Sequence, residues 1–290
     1  MPAEGSEDRR RSLLDRYGVL SSELSKRIVS GTAIAAIALA MLYWSPAAFA
    51  VLTFIVAAVM SWEWGRMVRG PMPDTDFVVH LLAVLAAAVL SAWDMAGLGI
   101  AAALVGAIAV SALSFGNGRS QLAGTGVLYT ALPVVALGWL RGDEPLGFLA
   151  TLFVLCTVVV TDIAAFAVGR AVGGPKLWPE ISPNKTWSGL LGGVVSASLA
   201  GIFFAWLSGT GTPAWLASLG LVMGLIAQGG DLAESALKRH FGLKDAGDLI
   251  PGHGGFMDRM DGIVTASVAA ALIAFAIDAF APARALLYGS

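Results

Sequence analysis

Long apolar runs separated by short polar segments dominate the chain from residue 28 onward. An α-helix needs roughly 17–25 residues to cross the hydrocarbon core of a bilayer, and most of these runs have that length. Backbone groups in lipid must pair internally, and runs this continuous favour helices over barrel strands. We predict nine spans, at residues 28–44, 47–62, 77–93, 96–115, 121–140, 146–169, 188–208, 212–228 and 262–281. The pattern predicts an all-α, polytopic integral membrane protein.

Composition supports this class. Hydrophobic residues make up 57% of the chain and charged residues only 13%, whereas a soluble domain carries about 25% charged residues. The sequence therefore excludes an ordinary soluble globule. We expect residues 28–290 to form one transmembrane domain, with long cytoplasmic loops at 170–187 and 229–261.

The distribution of basic residues predicts the orientation. With a cytoplasmic N-terminus, 16 of the 18 Lys and Arg residues lie on the cytoplasmic side, and only Arg141 and Arg284 lie outside. Cytoplasmic loops carry such an excess of positive charge. An even number of spans would move only the C-terminus to the inside and would leave the other loops unchanged.

Residues 1–27 form a cytoplasmic N-terminal segment in this topology. Leu13, Tyr17, Leu20 and Leu24 recur at helical spacing among basic residues. This spacing favours an amphipathic helix on the membrane surface. A plain solvated tail is the alternative.

The loop at 229–261 contains two acidic groups. If the eighth span continues past Gly230 as a helix, Asp231, Glu234, Ser235 and Lys238 share one helix face. A carboxylate near the membrane surface needs a partner, and a divalent cation is suitable. Asp258 and Asp261 form the second group, where the last span begins; the helix dipole alone also favours aspartates there.

Basic residues accompany these carboxylates. They are Lys238, Arg239, Lys244 and Arg259. Carboxylate oxygens hold Mg²⁺ together with substrate phosphates, and Lys or Arg neutralises the remaining phosphate charge. The run Pro251-Gly-His-Gly-Gly allows the backbone to approach an anion closely. The alternative is a solvated loop whose charges pair with one another.

The same loop resembles the signature of bacterial phosphatidate cytidylyltransferases, also called CDP-diacylglycerol synthases. The matching pattern is Ser235-x-x-Lys-Arg-x4-Lys-Asp-x-Gly-x2-Ile-Pro-Gly-His-Gly-Gly-Phe-x-Asp-Arg-x-Asp261. The resemblance implies a multi-span helical enzyme in the bacterial cytoplasmic membrane, with its active site facing the cytoplasm. It also implies transfer of CMP from CTP to phosphatidic acid, giving CDP-diacylglycerol and pyrophosphate. Mg²⁺ is the implied cofactor, and in this family a K⁺ can accompany it.

By motif position, the resemblance makes Asp231 and Asp258 the metal ligands. The basic residues of the loop, with Lys238 and Arg259 foremost, would hold phosphates during catalysis. Further substrate contacts are expected from Ser235, Arg239, Lys244 and His253.

The first long loop adds a shorter resemblance. Ser182-Pro-Asn-Lys-Thr-Trp-Ser188-Gly is similar to the family's Ser-Pro-x-Lys-Thr-Trp-Glu-Gly, with Ser188 in place of Glu. Lys185 and Thr186 are therefore candidate phosphate contacts. A turn followed by a helix cap is the alternative interpretation of this short motif.

Asp162, Glu234 and Asp261 are candidates for supporting roles. Asp162 lies inside the sixth apolar run, where a charge costs about 2.5–3.5 kcal/mol on insertion scales, so it is a functional candidate by default. An aspartate that reaches water at the helix end is the alternative.

The expected partners are CTP, phosphatidic acid and the bilayer, without nucleic acid, and a homodimer is left open. Two other functions are considered. The enzyme could act on an isoprenoid lipid, by nucleotidyl transfer or by CTP-dependent phosphorylation. A transporter is the alternative from another class, although the charges cluster at one membrane face and not near the midplane.

Overall fold

The computed structural model describes residues 31–70, 74–116, 122–244, 247 and 255–290. The predicted N-terminal segment 1–27 lies outside the described residues. The first five helices are α1 Gly31–Trp44, α2 Pro46–Val68, α3 Thr75–Ala92, α4 Ala96–Gly116 and α5 Ala123–Gly142. Next come α6 Gly147–Val172, strands β1 Lys176–Trp178 and β2 Ser182–Thr186, α7 Trp187–Ser208 and α8 Pro213–His240. A 3-10 helix Met257–Arg259, α9 Asp261–Ile277 and α10 Pro282–Tyr288 complete the described chain.

The predicted class, an all-α membrane protein, is confirmed. Seven helices, α2 to α8, are long and apolar enough to cross a membrane in the described part of the chain. We predicted one continuous span at 262–281, and this is wrong. The helix α9 ends at Ile277, and α10 follows at an angle of 94°. Counting this bent pair as one broken span gives eight. The described part of α1 is shorter than a span, so the count of nine stays a prediction.

Glycines bring α7 and α8 into backbone contact. A Cβ atom on Gly201 would lie 2.0 Å from the Leu216 carbonyl oxygen, and one on Gly220 would lie 2.4 Å from the Ala197 carbonyl oxygen. Small residues allow such close approach between membrane helices, where the hydrophobic effect does not drive association. The close packing fixes the position of α8 relative to α7, and with it the side chains at the α8 C-terminal end.

A two-stranded antiparallel hairpin joins α6 to α7. The chain leaves α6 through Gly173 and Gly174, whose φ angles of 65° and 102° favour glycine. After β2, the Thr186 side chain accepts a hydrogen bond from the Gly189 N–H at 3.1 Å and caps α7. The hairpin thus holds the end of α6 beside the start of α7.

Candidate active site

A polar cavity of about 750 Å³ lies where α6, the hairpin, α7, α8 and α9 meet. Its acidic lining residues are Asp162, Asp231, Asp258 and Asp261. Its basic lining residues are Arg170, Lys176, Lys185, Lys238 and Arg259. Acidic and basic side chains therefore face the same space, as a site for a metal ion and phosphates requires.

Asp231 lies on α8, which continues as a helix past Gly230 to His240. This meets the condition under which the sequence places Asp231 on one helix face with Glu234, Ser235 and Lys238. Its carboxylate contacts the Lys185 ammonium at 2.5 Å, and the Ser235 hydroxyl donates to it at 3.4 Å. Lys185 comes from β2, one residue before the α7 cap. The ion pair therefore joins the two loops that the sequence marked as functional.

Asp258 belongs to the 3-10 helix before α9. One carboxylate oxygen contacts the Lys238 ammonium at 2.5 Å, and the other accepts the Gly255 N–H at 3.0 Å. Lys238 also lies 3.5 Å from a carboxylate oxygen of Glu234, which is 2% exposed. Lys238 thus forms a close ion pair with Asp258 and lies beside the buried Glu234.

The structure brings both predicted metal ligands, Asp231 and Asp258, to one cavity, and their role as ligands stays a prediction. Among the described residues, no three acidic, His or Cys side chains are close enough to cage a metal. Mg²⁺ commonly binds through one or two carboxylates and completes its shell with water and substrate phosphates. The carboxylates of Asp231 and Asp258 therefore fit a Mg²⁺ ion that also binds nucleotide phosphates better than a metal ion bound by protein side chains alone.

The N-terminus of α7 supplies an electropositive wall. Lys185, Thr186 and Gly189 line the cavity there, and helix N-termini favour anions through their free N–H groups and dipole. The Thr186 hydroxyl bonds the Gly189 N–H and lies 3.0 Å from the Ser188 hydroxyl. In this structure Thr186 therefore serves as the helix cap, which was the alternative interpretation of its motif.

Some predicted substrate contacts lie away from the cavity. The Arg239 guanidinium donates to the Ile181 carbonyl at 3.4 Å and to the Leu243 carbonyl at 3.1 Å. Lys244 is exposed and is not among the lining residues. Ser235 is not among the lining residues, and its hydroxyl donates to Asp231. His253 lies outside the described residues.

Sequence reasoning missed three kinds of residue at this site. Arg170 and Lys176 line the cavity, although the sequence analysis used them only to predict the orientation of the protein in the membrane. Gln228 lines it too, and its amide donates to the Leu190 carbonyl at 3.0 Å. Glu63, from α2, accepts hydrogen bonds from the 3-10 helix. An acid directly after the second predicted span, between two tryptophans, was the available signal for Glu63.

Ser188 occupies the position where the resemblance led us to expect Glu. Its hydroxyl donates to the Gly173 carbonyl at the end of α6. The serine therefore ties α6 to the start of α7, and a carboxylate at this position is absent from the described site.

Comparison with known proteins agrees with the motif. The cytidylyltransferase family profile matches residues 25–277. A protein of Brucella suis biovar 1 (strain 1330), named phosphatidate cytidylyltransferase, is 36% identical over 251 residues, covering 85% of this chain and 91% of its own. The Mycobacterium bovis protein of the same name is 30% identical over 295 residues, covering 94% of each chain. That of Bacillus subtilis (strain 168) is 45% identical over 115 residues, covering 39% of this chain and 43% of its own. The chain belongs to the cytidylyltransferase family.

Proposed function

We propose that this protein is a phosphatidate cytidylyltransferase, which transfers CMP from CTP to phosphatidic acid and releases pyrophosphate. The observation that carries the proposal is the cavity between α6, the hairpin, α7, α8 and α9, which four aspartates and five basic side chains line. The relatives named phosphatidate cytidylyltransferase support the choice of substrates. The product is CDP-diacylglycerol, a precursor for phospholipid synthesis.

In the proposed reaction, a phosphate oxygen of phosphatidic acid attacks the α-phosphorus of CTP. The bond from that phosphorus to the bridging oxygen breaks, and pyrophosphate leaves with the electron pair. The nucleophile is already an anion at neutral pH, so the reaction needs no strong base. Repulsion between two polyanions is the main obstacle, and positive groups that are held in place reduce it.

The described side chains suit this task. Asp231 and Asp258 would hold Mg²⁺, with a K⁺ as a further expectation, and the bound metal would supply charge neutralisation at the phosphates. Lys185 and Lys238 now contact those two carboxylates at 2.5 Å. A cation bound by the carboxylates would free both ammonium groups to contact phosphate oxygens. Arg170, Lys176 and Arg259 add positive charge around the same space.

We further propose a cytoplasmic N-terminus and a location in the bacterial cytoplasmic membrane. The distribution of basic residues, 16 of 18 on one side, supports this orientation. It directs the cavity toward the cytoplasm, where CTP is available, while the lipid tails stay in hydrocarbon. The nine-span count and a homodimer remain predictions within this proposal.

Purified protein supplied with phosphatidic acid, Mg²⁺ and CTP labelled at the α-phosphate tests the function. We expect pyrophosphate release and label on the lipid. Release of CDP would instead indicate phosphorylation of the lipid, and a preference for isoprenoid phosphates in a lipid panel would change the substrate. Solute flux in proteoliposomes without nucleotide would indicate a transporter.

A substitution at the metal site tests the assignment of residues. Asp231→Asn keeps the side-chain shape but removes the charge, so we expect turnover to fall by at least about 100-fold because charge stabilisation at the phosphates dominates. The matched control is Asp94→Asn, since Asp94 is exposed and has a φ of 60° that asparagine tolerates. Full activity in Asp231→Asn would contradict its role as a metal ligand.

A further inference from the structure

Glu63 is a buried carboxylate that the proposed reaction does not use. It lies on α2 and is 1% exposed. Residues close to it on α2, Met60, Trp64 and Met67, form one buried hydrophobic cluster with Met257. A charge in such surroundings is costly unless strong hydrogen bonds or ion pairs compensate for it. Its contacts therefore indicate what it does.

Both oxygens of Glu63 accept backbone hydrogen bonds from the segment that carries Asp258. Oε1 accepts from the Phe256 N–H at 2.8 Å, and Oε2 accepts from the Met257 N–H at 2.7 Å. The first N–H groups of a helix have no partner within that helix and need an external acceptor. Glu63 thus caps the 3-10 helix Met257–Arg259 from a different helix, far away in the sequence.

A third contact places another part of the same loop on this carboxylate. A Cβ atom built on Gly247 would lie 2.8 Å from Glu63 Oε1. Gly247 and Phe256 lie on either side of residues 248–254, so both flanks of that segment meet at one side chain. Glu63 is therefore an anchor point on α2 for Gly247 and for Phe256 and Met257.

The anchored helix holds the site residues directly. Asp258 and Arg259 follow Met257, and both line the cavity. The Asp258 carboxylate is further fixed by Lys238 and by the Gly255 N–H. A change in the capped turn would move the Asp258 carboxylate relative to Asp231, which is held on the separate helix α8.

We propose that Glu63 is a positioning residue, which sets the Asp258 carboxylate at the distance from Asp231 that divalent-cation binding requires. This inference rests on the proposed function of the cavity. It assigns a role in the site to α2, which contributes no residue to the cavity lining. Because Glu63 acts through the backbone of residues 256 and 257, it does not contact the reacting atoms.

The decisive substitution is Glu63→Gln. The side chain keeps its size and one acceptor oxygen, but its NH₂ group faces one of the two backbone N–H donors. We expect the dissociation constant for Mn²⁺, measured by electron paramagnetic resonance without substrate, to rise about tenfold. Turnover number should fall at least tenfold, while the KM for CTP changes less than about threefold. Glu63→Asp, which keeps both acceptor oxygens, should give intermediate values.

Two further variants separate positioning from general stability. Asp76→Asn is the matched control: Asp76 is 1% exposed on α3 and accepts the Ser114 hydroxyl at 2.7 Å. We expect it to leave Mn²⁺ binding within twofold of the unchanged protein. Gly247→Ala, which pushes on the Glu63 carboxylate without altering charge, should weaken Mn²⁺ binding two- to fivefold even if Glu63→Gln fails to fold.

The outcomes are distinguishable. Unchanged Mn²⁺ binding in both Glu63→Gln and Gly247→Ala, or an equal loss in Asp76→Asn, would overturn the positioning role. Failure of the unchanged protein to use CTP with phosphatidic acid would instead overturn the proposed function.

Discussion

Lys238 offers the sharpest test of the electrostatics of the cavity. This residue is 8% exposed, and its ammonium contacts Asp258 at 2.5 Å and Glu234 at 3.5 Å. Lys238→Met keeps an unbranched side chain with good helix propensity but removes the charge. Asp258 then loses its ion-pair partner, while the Gly255 N–H still supports it.

Removal of one partner from a buried ion pair costs about 3–5 kcal/mol. We expect the lower end, about 3 kcal/mol, because the Asp258 side chain is 13% exposed and keeps an amide donor. At about 2–4 °C per kcal/mol, the melting temperature should fall by roughly 6–12 °C. Thermal unfolding in detergent without divalent cations measures this change.

Addition of Mg²⁺ should reverse much of the loss. A ligand at 100 times its dissociation constant stabilises a protein by about 2.7 kcal/mol. In the unchanged protein, Mg²⁺ competes with the Lys238 ammonium for Asp258, whereas in Lys238→Met this competition is absent. The Mg²⁺-dependent rise in melting temperature should therefore be larger in the variant, although its turnover is lost.

Lys244→Met is the matched control, because Lys244 is exposed and lies outside the cavity lining. Its stability should stay within about 0.5 kcal/mol of the unchanged protein. The reasoning is refuted if Lys238→Met unfolds at the unchanged temperature, or if Mg²⁺ stabilises it no more than the unchanged protein.

Two further predictions concern the helix contact and the basic residues. Gly220→Ala should lower the unfolding free energy by about 1–3 kcal/mol, since its Cβ would lie 2.4 Å from a carbonyl of α7. The control is Gly229→Ala on the same helix, which should not destabilise the protein because nothing lies within 4 Å of its Cβ. Equal melting temperatures of the two variants would contradict the helix contact. Lys185→Ala should lower kcat/KM by about 100-fold and Arg239→Ala by less than about threefold, because Lys185 lines the cavity and Arg239 does not. Similar losses of kcat/KM in steady-state assays of the two variants would contradict these different roles.

The membrane helices were predictable because backbone N–H and C=O groups in lipid must form hydrogen bonds within the protein. Long apolar runs must form helices there, and the predicted cores of the spans coincide with α2 to α8. The ends were harder to predict. Apart from Asp278, apolar residues continue to 281 in the sequence, but α9 stops at Ile277 with Asp278 as its C-cap, and Pro282 starts α10. Hydropathy alone does not distinguish one helix from two that meet at a sharp angle.

The candidate site was predictable where chemistry and local spacing coincide. Helical spacing put Asp231 and Lys238 on one face, and the start of the last span marked Asp258. Spacing could not give the partners, because the contact of Asp231 with Lys185 and the contact of Glu63 with Met257 depend on tertiary packing. The hairpin also escaped prediction, since its strands have only 3 and 5 residues.

The length of α8 has a consequence for how the enzyme meets its lipid. Its 28 residues extend about 42 Å at 1.5 Å per residue, which exceeds a hydrocarbon thickness of about 30 Å. Asp231 stands about 27 Å along this axis from Pro213. If α8 enters the hydrocarbon at Pro213, this carboxylate would lie near the boundary between acyl chains and headgroups, level with a lipid phosphate. In a thicker bilayer, Asp231 would lie deeper in the hydrocarbon. The acyl-chain length of the lipid should therefore change the reaction rate, because it changes the depth of Asp231 relative to the lipid phosphate.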